Sequence, residues 1–259
     1  MKTHRLIILG IGIFAFFLPA GRADFSLGTA ASFAVLGYSG VTSIGNTVLN
    51  GNLGLSPCAT LTGLGPGSVN GLTYVDDAVA EQAQSDALST YNTVLSLTPE
   101  VNLTGHDLGG LTLTPGVYNF SSTAQLTGTL TLNAEGNPAA QFIFQIYGIL
   151  STACNSSVVL ENGAQASGLN WQVGDWTTLG ADTAFAGNIL AGESITMDAG
   201  ASLSGHAFSL NGEVILDDNS ISIASAPEPN SCFSAILCAI GFGLGWGFIR
   251  ERRQRLVTA

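Results

Sequence analysis

Residues 177–223 read TTLGADTAFAGNILAGESITMDAGASLSGHAFSLNGEVILDDNSISI, and within them the chain repeats itself. Residues 185–191 align with residues 203–209 at an offset of 18, and residues 194–198 align with residues 213–217 at an offset of 19. Short β-type runs that Gly, Asn, Asp and Ser interrupt at such a period are typical of β-solenoid coils. One coil cannot bury its own apolar face, so stacked coils must share a core. The stretch therefore predicts an all-β solenoid.

The strand pattern extends to other parts of the chain. Residues 41–54 can be laid over residues 195–208, which predicts one or two coils that are separated in sequence from the others. In residues 126–132 Leu alternates with Thr, an arrangement that places Leu inward and Thr outward on a strand. Residues 142–146 are apolar at nearly every position, which is typical of a strand that is covered on both sides.

Residues 76–98 have the clearest helical pattern. Alanines and larger apolar residues recur there at three- and four-residue spacing. Asp76 and Asp77 suit the positive end of a helix dipole, and Pro99 prevents continuation past Thr98. The many alanines indicate close approach to a flat neighbour, so we expect this helix to lie along the solenoid. The apolar stripe comprises Ala80, Ala83, Ala87, Tyr91 and Val94, with Leu88 and Leu95 beside it.

Both ends of the chain have the pattern of targeting segments. Residues 1–23 combine basic residues, an apolar run and small residues at their end, as a secretory signal peptide does. Residues 226–259 contain a proline-rich hinge, an apolar run over about residues 231–249 and a basic cluster. That pattern predicts a membrane span with a cytoplasmic stop. We therefore expect an exported domain over residues 24–225.

Charge is distributed very unevenly along the chain. All 7 Lys and Arg residues lie in the two terminal segments, so residues 24–225 contain none. Of the 18 acidic residues, only Glu228 and Glu251 lie outside that domain. Nucleic acid and anionic membrane surfaces are excluded as partners of the domain, because both require cationic contacts. Packing and backbone hydrogen bonds, rather than salt bridges, must stabilise the fold.

Cys58 and Cys154 lie in the predicted exported domain, where a disulfide can form. We expect them to pair, and the alternative is two buried free thiols. Cys232 and Cys238 fall in the predicted membrane span. No CxxC motif or His/Cys cluster indicates a metal site, and no cofactor is expected.

A series of short motifs runs through the predicted domain. They include LGTA at residues 27–30, TPGVY at residues 114–118, FIFQI at residues 142–146 and WQVG at residues 171–174. Together they resemble the bacterial and fungal ice-binding proteins of the DUF3494 family. The resemblance implies a right-handed, three-faced β-helix with one long α-helix alongside, and N-terminal coils that are completed out of sequence order. It also implies a protein that adsorbs to ice and inhibits ice growth and recrystallisation.

The C-terminal segment has a second resemblance. Pro227, Glu228 and Pro229, followed by the apolar run and the basic cluster, resemble the PEP-CTERM sorting signal. This implies processing by an exosortase and delivery to the cell surface or its exopolysaccharide, in a Gram-negative bacterium. An ordinary membrane anchor is the alternative.

An ice-binding surface must be flat, regular and uncharged. Stacked coils supply a repeat of about 4.8 Å, and β-branched Thr holds its methyl and hydroxyl in few rotamers. Relatives mark this surface with a Thr-Gly/Ala-x-Thr/Asn pattern, which residues 44–47, 181–184 and 199–202 match without strict Thr. Asp182 intrudes on the second of these segments. We expect two outward rows, one of Thr42, Thr178 and Thr196, and another of Thr47, Thr183, Ser202 and Ser204.

Two other classes of function compete with ice binding. β-Helices also carry polysaccharide-acting enzymes. A lyase needs basic residues that residues 24–225 lack, and a glycosidase needs paired carboxylates, for which Asp198 and Asp217 are the candidates. Asp at a coil corner more often makes the turn, so we expect no catalysis. The other alternative is a structural or adhesive surface module that binds exopolysaccharide.

Overall fold

The structure, a computed structural model, describes residues 26–223. The predicted signal peptide, sorting motif and membrane span lie outside these residues. The described part is mostly β, with one α-helix, and all of its strand pairs are parallel. Between residues 26 and 223, no helix is both long and apolar enough to cross a membrane.

The elements follow one another in short segments. The strands before the helix are β1 (Phe33–Gly37), β2 (Gly40–Ile44), β3 (Val48–Asn50), β4 (Asn52–Leu55), β5 (Leu61–Thr62) and β6 (Thr73–Val75). The helix is α1 (Ala78–Leu95). The strands after it are β7 (Val101–Asn102), β8 (Thr112–Leu113), β9 (Gly116–Phe120), β10 (Ala124–Leu126), β11 (Thr129–Asn133), β12 (Phe142–Ile146), β13 (Leu150–Thr152), β14 (Ser157–Glu161), β15 (Leu169–Val173), β16 (Thr177–Leu179), β17 (Ala184–Ala191), β18 (Ile195–Met197), β19 (Ser202–Ser209), β20 (Glu213–Asp217) and β21 (Ser220–Ser222).

The chain visits three series of strands in turn. The helix-side series runs β6-β4-β1-β19-β17-β15-β12-β9-β7, and the seven-stranded sheet runs β10-β13-β16-β18-β20-β2-β5. The third series runs β8-β11-β14-β17-β19-β21-β3. Strands β17 and β19 belong to two series because each turns at a glycine of positive φ, Gly187 at 105° and Gly205 at 150°. A side chain is excluded at Gly205, where a Cβ would lie 2.0 Å from the Gly187 carbonyl oxygen.

The sequence repeat coincides with the pairing of neighbouring strands. Ala184–Ala191 pairs with Ser202–Ser209 in continuous register, at the offset of 18 that the sequence shows. The separated N-terminal strands pair with the C-terminal ones, β1 with β19, β2 with β20 and β3 with β21. Completion out of sequence order is therefore confirmed.

The interior is filled by apolar side chains from all three series. Phe144 stacks on Trp171 with 4.0 Å between ring centroids, and Tyr118 stacks on the other side of Phe144 at 5.3 Å. Both Phe144 and Trp171 are fully buried. Burial of each such ring contributes about 2–3 kcal/mol to stability. This ladder of rings stabilises a fold whose described residues contain no Lys or Arg.

Helix α1 connects β6 and β7, which lie at opposite ends of the helix-side series. It begins after Asp77, whose side chain accepts hydrogen bonds from the Val79 and Ala80 N–H groups at 3.0 and 2.9 Å. The predicted range of about 76–98 is too long at both ends. Asp76 has a left-handed φ of 49°, and the backbone N–H of Ser96 already closes the last turn. The buried stripe includes Ala80, Ala83, Ala87 and Val94, whereas Leu88 is 49% exposed.

The predicted disulfide is wrong. Cys58 and Cys154 are free and exposed. Cys154 follows β13, and Cys58 precedes β5, which is five strand steps further along the seven-stranded sheet. Five steps correspond to about 24 Å, whereas a disulfide requires Cα atoms within about 7 Å of each other.

Candidate functional site

Outward side chains of the seven-stranded sheet form one straight row, the central row. Each member is the direct partner of the next across a parallel strand pair. The neighbouring positions on the other six strands point into the core, since side chains alternate along a strand, whereas Leu61 on the edge strand β5 is exposed. Six strand intervals give the row a length of about 29 Å. Its members are Gln125, Ser151, Thr178, Thr196, Ile215, Thr42 and Thr62.

The structure thus places the predicted Thr42, Thr178 and Thr196 in one row. Its other members, which were not predicted from the sequence, are Gln125, Ser151, Ile215 and Thr62. An available signal was the repeated triplet in which a central residue lies between two inward ones, as in Ala124–Leu126, Thr177–Leu179 and Ile195–Met197. The triplets are separated by strands of the other series and by loops, and the total length of these segments varies, so their alignment was not evident from spacing alone.

Two flanking rows differ in size and charge along the sheet. The flank nearest the helix-side series reads Thr123, Ile149, Trp176, Ser194, Glu213, Gly40 and Thr60. The flank nearest the third series includes Ala153, Gly180, Asp198, Asp217 and Ile44. The half of the sheet formed by β10, β13 and β16 has one bordering carboxylate, that of Asp107, which pairs with Gln125 at the end of the row and accepts a hydrogen bond from the Thr127 N–H. The half around β18 and β20 has three carboxylates on its flanks.

The second predicted row is wrong. Thr47 and Thr183 are 1% and 0% exposed, because each directly precedes an outward strand residue and so points inward. The Thr183 hydroxyl lies 3.0 Å from that of Thr152, and the Thr47 hydroxyl accepts a hydrogen bond from the Asn219 N–H at 3.2 Å. Both side chains stabilise corners between strands. They do not form a surface.

Ser202 and Ser204 lie on the third series, two positions apart on β19. Ser202 pairs with Ala184 and Ser220 on the adjacent strands. This surface is not open throughout, because the short helical turn Ala166–Gly168 contacts β17 and β19. The Asn188 side chain donates to the Ser167 carbonyl oxygen there. The third series therefore offers a less continuous flat area than the seven-stranded sheet.

The paired carboxylates lie at a corner, as the sequence suggested. Asp198 and Asp217 are neighbours on adjacent strands. The Asn219 side chain donates to the Asp198 carbonyl oxygen at 2.9 Å and accepts from the Asp217 N–H at 2.6 Å. These hydrogen bonds fix the turn between two strands. Asp182 occupies a similar corner with a left-handed φ of 56°.

Comparison with known proteins assigns the family. A family model described as ice-binding-like matches residues 35–222, which include the whole central row. The chain belongs to this ice-binding-like family. An ice-binding protein of Nostoc sp. (strain HG1) is 47% identical over 254 residues, covering 94% of this chain and 93% of the relative.

Solved ice-binding proteins share the fold. The crystal structure of an ice-binding protein from an Antarctic biological consortium superimposes with a TM-score of 0.77 at 37% identity, covering 85% of this chain and 97% of that one. The DUF3494 domain of ice-binding protein 1 from Shewanella frigidimarina superimposes with a TM-score of 0.73 at 30% identity, covering 79% of this chain and 99% of the domain. Membership of the ice-binding-like family thus agrees with the resemblance seen in the sequence motifs.

Proposed function

We propose that this protein binds ice through the seven-stranded sheet and thereby inhibits ice growth and recrystallisation. The observation that carries the proposal is the central row, which is straight, uncharged and presented by consecutive parallel strands. Helix α1 packs instead against strands of the helix-side series, including β1, β4, β12 and β15. The third series is partly covered by the turn Ala166–Gly168. The seven-stranded sheet is therefore the best surface for a flat crystal.

The chemistry of the central row suits adsorption rather than catalysis. Thr42, Thr178 and Thr196 present a methyl and a hydroxyl in restricted rotamers, so the row changes little when it meets a rigid surface. Hydroxyls repeated at about 4.8 Å can order water along the strand-stacking direction. An ice front that must grow around an adsorbed protein advances more slowly. We infer that Asp198 and Asp217 act as corner residues and carry no reaction.

A right-handed, three-faced β-helix is our proposal for the scaffold of this surface. The parallel pairing of successive strands in three series supports it. A right-handed connection between parallel strands is also strongly favoured by the twist of the chain. The mostly β architecture with one helix agrees with the solved ice-binding proteins.

We test ice binding by placing bulk on the central row. Replacing Thr196 by Tyr should abolish most thermal hysteresis and recrystallisation inhibition, because the ring prevents a flat crystal from reaching the neighbouring strands. Ser89, an exposed residue of α1, provides the matched control Ser89→Tyr, which should retain wild-type activity. Circular dichroism and thermal melting must show both variants folded. Full activity of the Thr196→Tyr variant would place the ice-binding site elsewhere, and no activity of the wild type at high protein concentration would exclude the function.

We further propose that the protein acts outside the cell. The support is the sequence pattern of residues 1–23 and of residues 226–259, with Pro227, Glu228 and Pro229 as the sorting motif. Its partners would then be an exosortase and, after sorting, the exopolysaccharide of the cell surface. Fractionation of cells that express the chain with an internal tag tests this location. Retention of the tagged protein in the cytoplasm, with residues 1–23 intact, would contradict it.

A further inference from the structure

Trp176 is the largest outward side chain on the seven-stranded sheet. It is 49% exposed and lies directly before β16, two residues from Thr178 of the central row. Its backbone is fixed by neighbours on both sides. The Leu150 N–H donates to the Trp176 carbonyl oxygen at 3.2 Å, and the Thr177 N–H donates to the Ser194 carbonyl oxygen at 3.0 Å. The indole therefore has a defined place in the flank nearest the helix-side series.

The neighbours of Trp176 on the adjacent strands of the sheet are smaller and uncharged, whereas the exposed Asp175 and Glu193 lie together at the corner just before them. Ser194 is its neighbour on one adjacent strand and Ile149 on the other. On the opposite flank, the matching positions are Ala153 and Gly180. Because an indole extends well beyond a threonine or serine side chain, Trp176 stands above these smaller strand neighbours.

The position of Trp176 matters because ice is rigid. A flat crystal that meets a protruding ring cannot simultaneously contact Thr178 and Ser151 beside it. Contact is then limited to the other half of the sheet, where the central row continues as Thr196, Ile215, Thr42 and Thr62. That half is the poorer one for ice, since its flanks carry Glu213, Asp198 and Asp217.

We propose that Trp176 limits the area over which the seven-stranded sheet contacts ice, and so weakens the ice activity of this chain. The inference rests on the proposed function, because it concerns the same surface. Removal of the indole extends the usable central row from four strands to seven. The contact length then increases from about 14 Å to about 29 Å, or roughly twofold.

The experiment replaces Trp176 by Thr in the full chain and measures thermal hysteresis at equal protein concentration. We expect an increase of roughly twofold or more, in line with the longer contact. The matched control is Tyr147→Thr, since Tyr147 is a comparably exposed aromatic residue, 54% exposed, that lies off the sheet. Ser194→Trp provides the converse variant and should lower activity, because it adds an indole beside Thr196.

The outcomes separate this inference from the proposed function. An unchanged or lower thermal hysteresis in Trp176→Thr, with an unchanged melting temperature, would overturn the inference. An unchanged value would indicate that the indole does not obstruct the crystal, and a lower value that it contacts ice itself. If Thr196→Tyr still abolishes activity in that case, the proposed ice-binding surface stands. If no variant shows any effect on ice, Trp176→Thr included, both the function and this inference are contradicted.

Discussion

The Nδ1–H of the His206 ring donates a hydrogen bond to the carbonyl oxygen of Phe33, 2.5 Å away and 173 positions distant in sequence. His206 lies on β19 and Phe33 on β1, the two strands at which the N-terminal part of the chain joins the C-terminal part. Only 4% of His206 is exposed. The contact thus secures the junction that completes the strand stack.

Acidification should weaken this junction. Burial lowers the pKa of His206 below its ordinary value of 6.5 in the folded chain, despite the opposing effect of the Phe33 carbonyl. The unfolded chain therefore binds the proton more readily, so stability is complete above pH 6.5 and falls as the pH decreases through the lower folded value. Urea unfolding at a series of pH values between about 7.5 and about 5 measures this loss. In His206→Gln the dependence on pH over that window should flatten, and an unchanged slope would contradict the assignment to His206.

Replacement of Gly205 by Ala should disrupt the bend that β19 makes between two strand series. The new Cβ would lie 2.0 Å from the Gly187 carbonyl oxygen, and the backbone φ of 150° is one that residues with a side chain rarely adopt. We expect a loss of at least about 2 kcal/mol in the free energy of unfolding. Gly67→Ala is the control, since its φ is also positive but no atom lies within 4 Å of a new Cβ. Equal losses in both variants would show that backbone strain alone, and not crowding, is responsible.

Removal of the helix cap should destabilise α1 moderately. Asp77→Ala eliminates the acceptor for two backbone N–H groups, those of Val79 and Ala80. A lost N-cap costs about 1 kcal/mol. Thermal melting followed by far-ultraviolet circular dichroism, with Asp77→Asn as the capping control, measures the effect. A variant as stable as the wild type would mean that packing of the alanine stripe alone holds the helix.

Bulk on the third series should leave ice activity nearly unchanged. Ser202→Tyr places a ring on the strand series that the turn Ala166–Gly168 partly covers, away from the central row. Because the proposed contact lies on the seven-stranded sheet, we expect thermal hysteresis within experimental error of the wild type. A loss as large as that of Thr196→Tyr would assign ice contact to both surfaces.

The period of 18 to 19 residues and the alternation of inward and outward positions determine much of the fold. These local signals sufficed to predict a mostly β chain of stacked strands. The alternation of side chains along a strand and a short repeat are both properties of consecutive residues. The helix, the separated N-terminal strands and the row of Thr42, Thr178 and Thr196 followed from the same kind of local signal. The inward placement of Thr47 and Thr183 did not follow from a local signal. One additional residue at a corner reverses which residues of the next strand point inward and which point outward.

Tertiary structure alone decided three other matters. It separated Cys58 from Cys154 by five strand steps, because the N-terminal strands add to the C-terminal end of the stack. It extended the central row to Gln125 and Thr62, because register across seven strands depends on hydrogen bonds between residues far apart in sequence. It also placed Trp176 between Ile149 and Ser194 of the adjacent strands, a relationship between coils that no local pattern carries. The repeat specifies a coil, but only stacking decides which coils are neighbours and what their shared surface presents.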